Sequence, residues 1–319
     1  MTNLAILKNY PLRFAVADLA LGHVCLWFGF GVYKAYARLT LPVRHETSEI
    51  LRGDLMSQGL IFGFCLSLLL CINSNAQASF GPNEKLVLIS TRPSVTLPFI
   101  FVRPNQSPTA AVVLFAGSNG LLKLTSDGIG SGADNFVVRT RQQYASAGFV
   151  TLVLDVPSDH SKGLGDSYRT SKDAAADVQA VMAWIRSRWD VPVWLVGTSR
   201  GTISAANVAA RLGDDGPNGL ILTSSITTGN NATLYDVALD QIQVPTLFVH
   251  HREDACPASP FSNILTLMGS FTGIQKHPFK YFDGGGPIQS GPCKPLSYHG
   301  YIGIEDHVIR SITSFISSH

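Results

Sequence analysis

A serine flanked by glycines is the residue of this chain best suited to covalent chemistry. Ser199 lies in the stretch WLVGTSRG, a Gly-x-Ser-x-Gly pattern that follows an apolar run and precedes a helical pattern. A nucleophilic serine needs a sharp strand-to-helix turn that exposes its Oγ at the edge of a sheet. Gly197 and Gly201 leave room for such a turn, because a Cβ at either position would crowd the adjacent strand or helix. The pattern predicts that Ser199 is a nucleophile.

A serine hydroxyl reacts only when a base takes its proton, so a histidine is needed downstream. The chain has nine histidines. His299 is the predicted base, because it lies in a loop just before the C-terminal amphipathic pattern. His160 lies in a polar loop upstream of Ser199, while His277 and His307 fit structural roles.

A catalytic histidine needs an acid that fixes its tautomer and stabilises the imidazolium. Asp254, just after a predicted strand, is the predicted acid, and Glu253 is the alternative, since one residue of loop decides which carboxylate turns inward. His250 and His251 are neighbours on a strand and point to opposite faces. No other cluster has metal-ligand spacing, so no metal is expected.

The order Ser199, Asp254, His299 along the chain is the order found in α/β-hydrolases. On these residues the region from about 86 to 317 resembles an α/β-hydrolase, nearer to dienelactone-hydrolase and carboxylesterase-like members than to lipases. The resemblance implies a mostly parallel sheet of about eight strands with helices on both faces. It also implies an acyl-enzyme mechanism, for which no cofactor is needed.

The resemblance also indicates an oxyanion hole. One donor would be the backbone N–H of Arg200, and the second that of Ser118, in the loop Ala116–Gly120 that reads AGSNG. This loop resembles the family's His-Gly segment but has Ala116 where histidine is frequent. An ordinary Gly/Asn turn is the alternative interpretation.

Short apolar, β-branched runs alternate with helical patterns from about residue 86, which favours a mostly parallel sheet after an initial hairpin. The predicted strands are Leu86–Ser90, Thr96–Val102, Ala111–Phe115, Val150–Asp155, Pro192–Val196, Leu220–Thr223, Pro245–His250 and Phe279–Phe282. The predicted helices are Phe136–Ala147, Ser171–Arg188, Arg200–Leu212, Pro260–Leu267 and Ile304–Ser317. Only Ser225 to Val244 separates the strands at the usual cap position, so no large cap domain is expected.

Composition excludes some classes of protein. Hydrophobic residues make up 45% of the 319 residues and charged residues 14%, so a disordered chain is not expected. The formal net charge is +2, without a basic run, which argues against a nucleic-acid partner.

The N-terminal part is apolar, and residues 1–78 are predicted to be separate from a hydrolase domain over 79–319. Leu60–Ile72 has no charge, is short for a membrane span, and is followed by Ala76-Gln77-Ala78, as in a secretory signal over residues 56–78.

One hypothesis takes Met56 as the true start, with export to the periplasm or the outside. The alternative is a membrane anchor, the only membrane contact expected. Phe14–Tyr33 is a mediocre span, since it carries Asp18 and His23.

The cysteines divide between the two parts. Cys25, Cys65 and Cys71 lie in the N-terminal part, and Cys256 and Cys293 in the predicted domain. Two cysteines in an exported domain suggest one disulfide. If Asp254 and His299 are bonded, their loops are neighbours and the sulfurs of Cys256 and Cys293 come within reach.

The leading hypothesis is hydrolysis of a small-molecule ester, or with less support an amide, by a secreted serine hydrolase. Phe136, Tyr235 and Tyr301 are candidates for the walls of its pocket. The alternatives are a hydrolase-fold binding protein that has lost catalysis and a membrane-anchored interaction protein that works through its N-terminal residues.

We expect the mature protein from an exporting host to begin at Ser79, because cleavage by signal peptidase would follow Ala78. N-terminal sequencing of the exported form tests this. A chain that keeps residues 1–78 in the membrane fraction would instead support the anchor.

Overall fold

The computed structural model describes residues 78–273 and 278–319, together with two short strands, β1 (Ala15–Asp18) and β2 (His23–Leu26), that pair antiparallel. The chain divides into two compact units, Met1–Ile72 and Asn73–His319. The predicted signal segment lies outside the described residues except for Ala78. No helix in the described ranges combines the length and apolarity that a membrane span requires.

The second unit is built on an eight-stranded sheet in the order β12-β11-β10-β9-β5-β8-β4-β3. Strands β3 and β4 form a hairpin, β4 also pairs antiparallel with β8, and all remaining pairs are parallel. The strands of the unit are β3 (Glu84–Arg92), β4 (Val95–Val102), β5 (Ala110–Phe115), β6 (Leu124–Thr125), β7 (Gly128–Ile129), β8 (Phe149–Leu154), β9 (Val193–Thr198), β10 (Gly219–Thr223), β11 (Thr246–His251) and β12 (Phe279–Phe282).

Helices cover both faces of this sheet. The α-helices are α1 (Phe136–Arg139), α2 (Arg141–Ser146), α3 (Asp166–Arg169), α4 (Lys172–Arg186), α5 (Gly201–Leu212), α6 (Ile264–Met268) and α7 (Glu305–Ser317). Helices α4, α5 and α6 bury their apolar residues against one face, and α1, α2 and α7 against the other. Strands β5, β8 and β9 are buried along their whole length, as strands with both faces covered must be.

The eight predicted strands of the sheet are all present, and their ends differ from the prediction by no more than two residues. Between β10 and β11 the chain forms only two 3-10 helices, Leu234–Asp236 and Leu239–Gln241, which confirms that there is no large cap.

Two predicted helices are wrong in detail. The helix predicted over Phe136–Ala147 divides at Thr140, whose hydroxyl donates to the carbonyl of Phe136 at 2.6 Å and competes with the regular helical ladder. The helix predicted over Pro260–Leu267 begins as a 3-10 turn at Phe261–Asn263 and becomes α-helical only in α6. The small hairpin of β6 and β7 was not predicted, because two-residue strands show no periodicity.

Candidate active site

Ser199 occupies the turn between β9 and α5 with φ +52°, a left-handed conformation that is uncommon for a residue with a side chain. The turn is tight on both sides. A Cβ on Gly197 would lie 2.5 Å from the carbonyl oxygen of Gly201, and a Cβ on Gly201 would lie 2.1 Å from that of Phe115. Only glycine fits at either position, as the sequence pattern predicted, and the turn leaves Ser199 at the carboxyl edge of the sheet.

Asp254 and His299 form a hydrogen-bonded pair on the same edge. Nδ1 of His299 donates to Oδ2 of Asp254 at 2.8 Å, and both side chains are buried. Two further donors hold the carboxylate: the backbone N–H of Cys256 at 2.9 Å and the hydroxyl of Ser259 at 3.2 Å. Nε2 of His299 is buried and has no hydrogen-bond partner among the described residues. This nitrogen is therefore able to accept a proton from a hydroxyl at the site.

The loop that carries His299 is fastened to the ends of two parallel strands. The hydroxyl of Ser224, just after β10, donates to the carbonyl of His299 at 2.8 Å. The phenol of Tyr301 donates to the carbonyl of Val249 in β11 at 2.9 Å and accepts from the backbone N–H of Ser224 at 3.1 Å. Burial raises the pKa of Tyr301, so the phenol keeps its proton. These bonds fix the position of the His299 loop, and with it the imidazole, relative to the carboxyl edge of the sheet.

A second buried histidine adjoins the acid. Nε2 of His250 donates to the carbonyl of Ser259 at 2.9 Å and lies 3.5 Å from Oδ2 of Asp254. Burial lowers the pKa of His250 to about 4, although the Asp254 carboxylate acts in the opposite direction. His250 is therefore neutral near pH 7, and the Asp254 charge remains available to His299.

The loop after β5 approaches Ser199 closely. A Cβ on Gly117 would lie 2.9 Å from Cβ of Ser199. The next residue, Ser118, has φ +54°. No backbone acceptor within the described ranges takes the N–H of Ser118 or that of Arg200. Two backbone donors near Ser199 are therefore without a backbone acceptor, and both residues border the same cavity.

A cavity of about 410 Å³ lies over these groups, and Ser199, Arg200, Ser118 and His299 all border it. Its apolar walls include Leu121, Leu122, Phe136, Ile226, Ala232 and Ala258, and its polar lining includes Asn135, Thr228, Asn231 and Lys294. Of the three aromatic residues predicted as walls, only Phe136 borders the cavity. Tyr301 is instead fully buried in the core, and Tyr235 is 46% exposed, because the turn that carries it faces solvent.

The other candidates do not join this group. Glu253 is exposed, and of the two carboxylates Asp254 is the one that is hydrogen-bonded to His299. His160 and His307 pack against other aromatic rings and do not border the cavity. His277 lies outside the described residues. Within the described ranges no three potential His, Cys, Asp or Glu ligands cluster as a metal site.

Several residues have roles in the site that the sequence pattern did not predict. They are Ser224, Ser259 and Arg169, together with His250, which was considered only for a metal site, and Tyr301, which was considered only as a pocket wall. Each contributes through a tertiary contact with a backbone oxygen or a neighbouring side chain. Periodicity reports burial and not such contacts, although their places at or after strand ends, or before the helix that packs on β9, would have marked them as candidates.

The architecture has known counterparts among solved structures. A thermostable carboxyl esterase from Bacillus coagulans superposes on 75% of this chain and 99% of its own, with a TM-score of 0.53 and 15% identity. The chain has the α/β-hydrolase fold. Two more α/β-hydrolases match similarly: an esterase from Pyrococcus furiosus (TM-score 0.54, 12% identity, 76% of this chain and 96% of its own) and a lipase in its open form (TM-score 0.54, 12% identity, 74% and 98%).

Sequence comparison adds nothing to this fold-level likeness. No protein-family profile and no curated protein matches the chain.

Cys256 and Cys293 lie at disulfide-bonding distance, with their Cα atoms 4.6 Å apart and a sequence separation of 37. Cys256 follows Asp254 by two residues, and its backbone N–H binds that carboxylate. Both cysteines border the cavity. A covalent bond here would hold the loops of the acid and the base together.

We expect peptide mapping of the unreduced protein to show Cys256 and Cys293 in one cross-linked peptide pair. Cys293→Ser should lower the free energy of unfolding by about 3–4 kcal/mol, the chain-entropy estimate for a loop of this size, and should lower turnover because the acid and base loops separate more easily. Urea unfolding of the two proteins measures the first effect. Two alkylated free thiols at these positions in the untreated protein would contradict the disulfide.

Proposed function

We propose that this chain hydrolyses carboxylic esters through a covalent acyl-enzyme on Ser199. One observation carries the proposal: Ser199, at its left-handed turn, and His299, which is hydrogen-bonded to the buried Asp254, border a single cavity. The two free backbone donors at Ser118 and Arg200 complete the set of groups that acyl transfer needs.

Each group has one role in the proposed reaction. Ser199 Oγ attacks the ester carbonyl carbon while Nε2 of His299 takes its proton, and the N–H groups of Ser118 and Arg200 bind the oxyanion. The C–O bond to the alcohol then breaks, and His299 returns the proton to the leaving oxygen. Water, deprotonated by His299, then attacks the acyl carbon. The bond from that carbon to Ser199 Oγ breaks, the acid is released, and His299 returns the proton to Oγ. Asp254 holds the tautomer in which Nδ1 carries its proton and Nε2 is free to accept.

The cavity supports a small ester as substrate. About 410 Å³ is within the range of small-molecule sites, and the mainly apolar walls favour a short acyl chain or an aryl group over a charged acyl group. The structural neighbours named above, a carboxyl esterase, an esterase and a lipase, are consistent with ester hydrolysis.

A binding protein with the same fold that has lost catalysis is the second candidate. Such a protein has no use for a strained serine, a buried Asp–His pair and two free donors together, because each is costly to maintain. The third candidate, a membrane-anchored interaction protein, depends on N-terminal residues that lie, apart from strands β1 and β2, outside the described ranges.

We also propose that the hydrolase works outside the cytoplasm. Cys256 and Cys293 are placed to form a disulfide, and disulfides persist in oxidising compartments. The apolar run followed by Ala76-Gln77-Ala78 supports the same location.

Substitutions of the proposed triad residues should lower kcat far more than substitutions of neighbouring residues. Ser199→Ala and His299→Ala should each lower kcat for an aryl ester by about 10⁴-fold or more, and the double variant by no more than either, because the triad acts as a unit. Asp254→Asn should lose about 10³–10⁴-fold, since an amide at this position favours the wrong tautomer of His299.

Glu253→Gln is the matched control for the acid, because its carboxylate is adjacent in sequence but exposed. We expect its kcat within about twofold of the wild type, since an exposed neighbouring charge is screened by solvent. Steady-state kinetics with short-chain aryl esters measures all variants. Undiminished turnover in Ser199→Ala would contradict the proposal, and a wild-type protein inert to every ester would favour the binding protein.

A further inference from the structure

Arg169, the last residue of α3, is a buried arginine that contacts both segments of the proposed oxyanion hole, the loop at Ser118 and the turn at Arg200. Its side chain is fully enclosed, with the residue only 1% exposed. Nη2 donates to the carbonyl of Ser118 at 2.9 Å, and Nη1 donates to the carbonyl of Arg200 at 3.1 Å. Nη1 also donates to the hydroxyl of Ser204 in α5 at 2.8 Å. One guanidinium group thus links the loop after β5 to the turn that carries the nucleophile.

The charge of this guanidinium is not neutralised by a direct ion pair. Within residues 78–273 and 278–319 no carboxylate lies at ion-pair distance from Arg169. Asp166 attracts it electrostatically but is itself bonded to Arg200. Burial lowers the pKa of Arg169 to about 9, which leaves it positive at neutral pH. A buried cation whose hydrogen-bond partners are all neutral is unfavourable on its own and needs a reason.

The planar fork of arginine explains the residue type. Two carbonyl groups from segments 82 residues apart in sequence, Ser118 and Arg200, are reached by two nitrogens of the same rigid group. A lysine ammonium offers one point of charge and cannot span both carbonyls with fixed geometry. An apolar side chain would leave both carbonyls without this donor. The relative position of the Ser118 and Arg200 segments therefore depends on Arg169.

We propose that Arg169 is a positioning residue for the oxyanion hole, which sets the spacing of the Ser118 and Arg200 backbone donors and places a positive charge behind the oxyanion. This inference rests on the proposed ester hydrolysis. Fixed dipoles and charges that need no rearrangement stabilise a developing oxyanion most effectively. Arg169 does not contact the substrate. Its effect therefore falls on the tetrahedral transition state and not on binding of the intact ester.

The test compares two ligands in Arg169→Lys and Arg169→Met. An aryl trifluoromethyl ketone forms a hemiketal with the serine and places an oxyanion in the hole. The matching aryl ether fills the cavity without an oxyanion. We expect Arg169→Met to weaken ketone binding and to lower kcat by the same factor, about 10²–10³-fold, the cost of one lost oxyanion donor. Arg169→Lys should lose about tenfold in both, and ether binding should stay within twofold.

Arg186 provides a control for the loss of an arginine that binds two carbonyls, although its side chain is exposed. It also donates to two backbone carbonyls, those of Asp215 at 3.0 Å and Gly216 at 2.6 Å, but away from the cavity. Arg186→Met should keep wild-type kcat and ketone affinity. Melting temperatures show whether each variant folds. If Arg169→Met does not fold, the kcat and ketone affinity of Arg169→Lys test the role of Arg169.

Three results would overturn the inference. Folded Arg169 variants with wild-type kcat and ketone affinity would leave ester hydrolysis standing but remove the role of Arg169. Equal losses for ketone and ether would show a general collapse of the pocket instead. A wild-type protein that neither turns over esters nor binds the ketone would overturn the proposed function itself, and this inference with it.

Discussion

Ser199 holds a left-handed backbone conformation at the end of strand β9, and the rest of the site is arranged around that turn. Such a conformation costs on the order of 1–3 kcal/mol for a residue with a side chain, so neighbours must maintain it. The N–H of Ser199 donates to Thr223 at 3.0 Å, and its carbonyl accepts from the N–H of Thr202 at 2.9 Å. The glycines at 197 and 201 let the strand and the helix close on the turn. Because the turn is held from both sides, Oγ has a fixed place at the sheet edge, and the other groups can be positioned relative to it.

Parallel strands bring those other groups to the same edge. Asp254 follows β11 and His299 follows β12, so both arrive at the carboxyl ends where ligands bind in open α/β sheets. Buried hydrogen bonds then determine the exact approach: Ser224 and Tyr301 fasten the loop of the base to β10 and β11, and Ser259 holds the carboxylate. Loops this long would lose considerable entropy on ordering, so a set of anchored contacts is needed to keep the Asp–His pair at 2.8 Å.

The sequence allowed the sheet and the main site to be predicted, because both follow from local patterns. Mainly apolar runs marked β8 and β9, and the glycines marked the turn at Ser199. Chain order then selected the loop of Asp254 but left Glu253 open, since the direction of a loop carboxylate depends on its tertiary hydrogen bonds. Arg169 was not found for the same kind of reason. Its partners lie far away in sequence, and a single arginine in a polar stretch resembles any solvated surface residue.

The central claim is that Ser199 forms a covalent intermediate, and the identity of the residue modified by a fluorophosphonate tests it most directly. Intact-mass measurement followed by peptide mapping identifies the modified atom group without any choice of substrate. The account predicts one phosphonyl group per chain, on Ser199, and none after prior denaturation, because the reaction requires the folded Asp254–His299 pair and both backbone donors. A phosphonyl group on another residue, or an unmodified native protein, would contradict it.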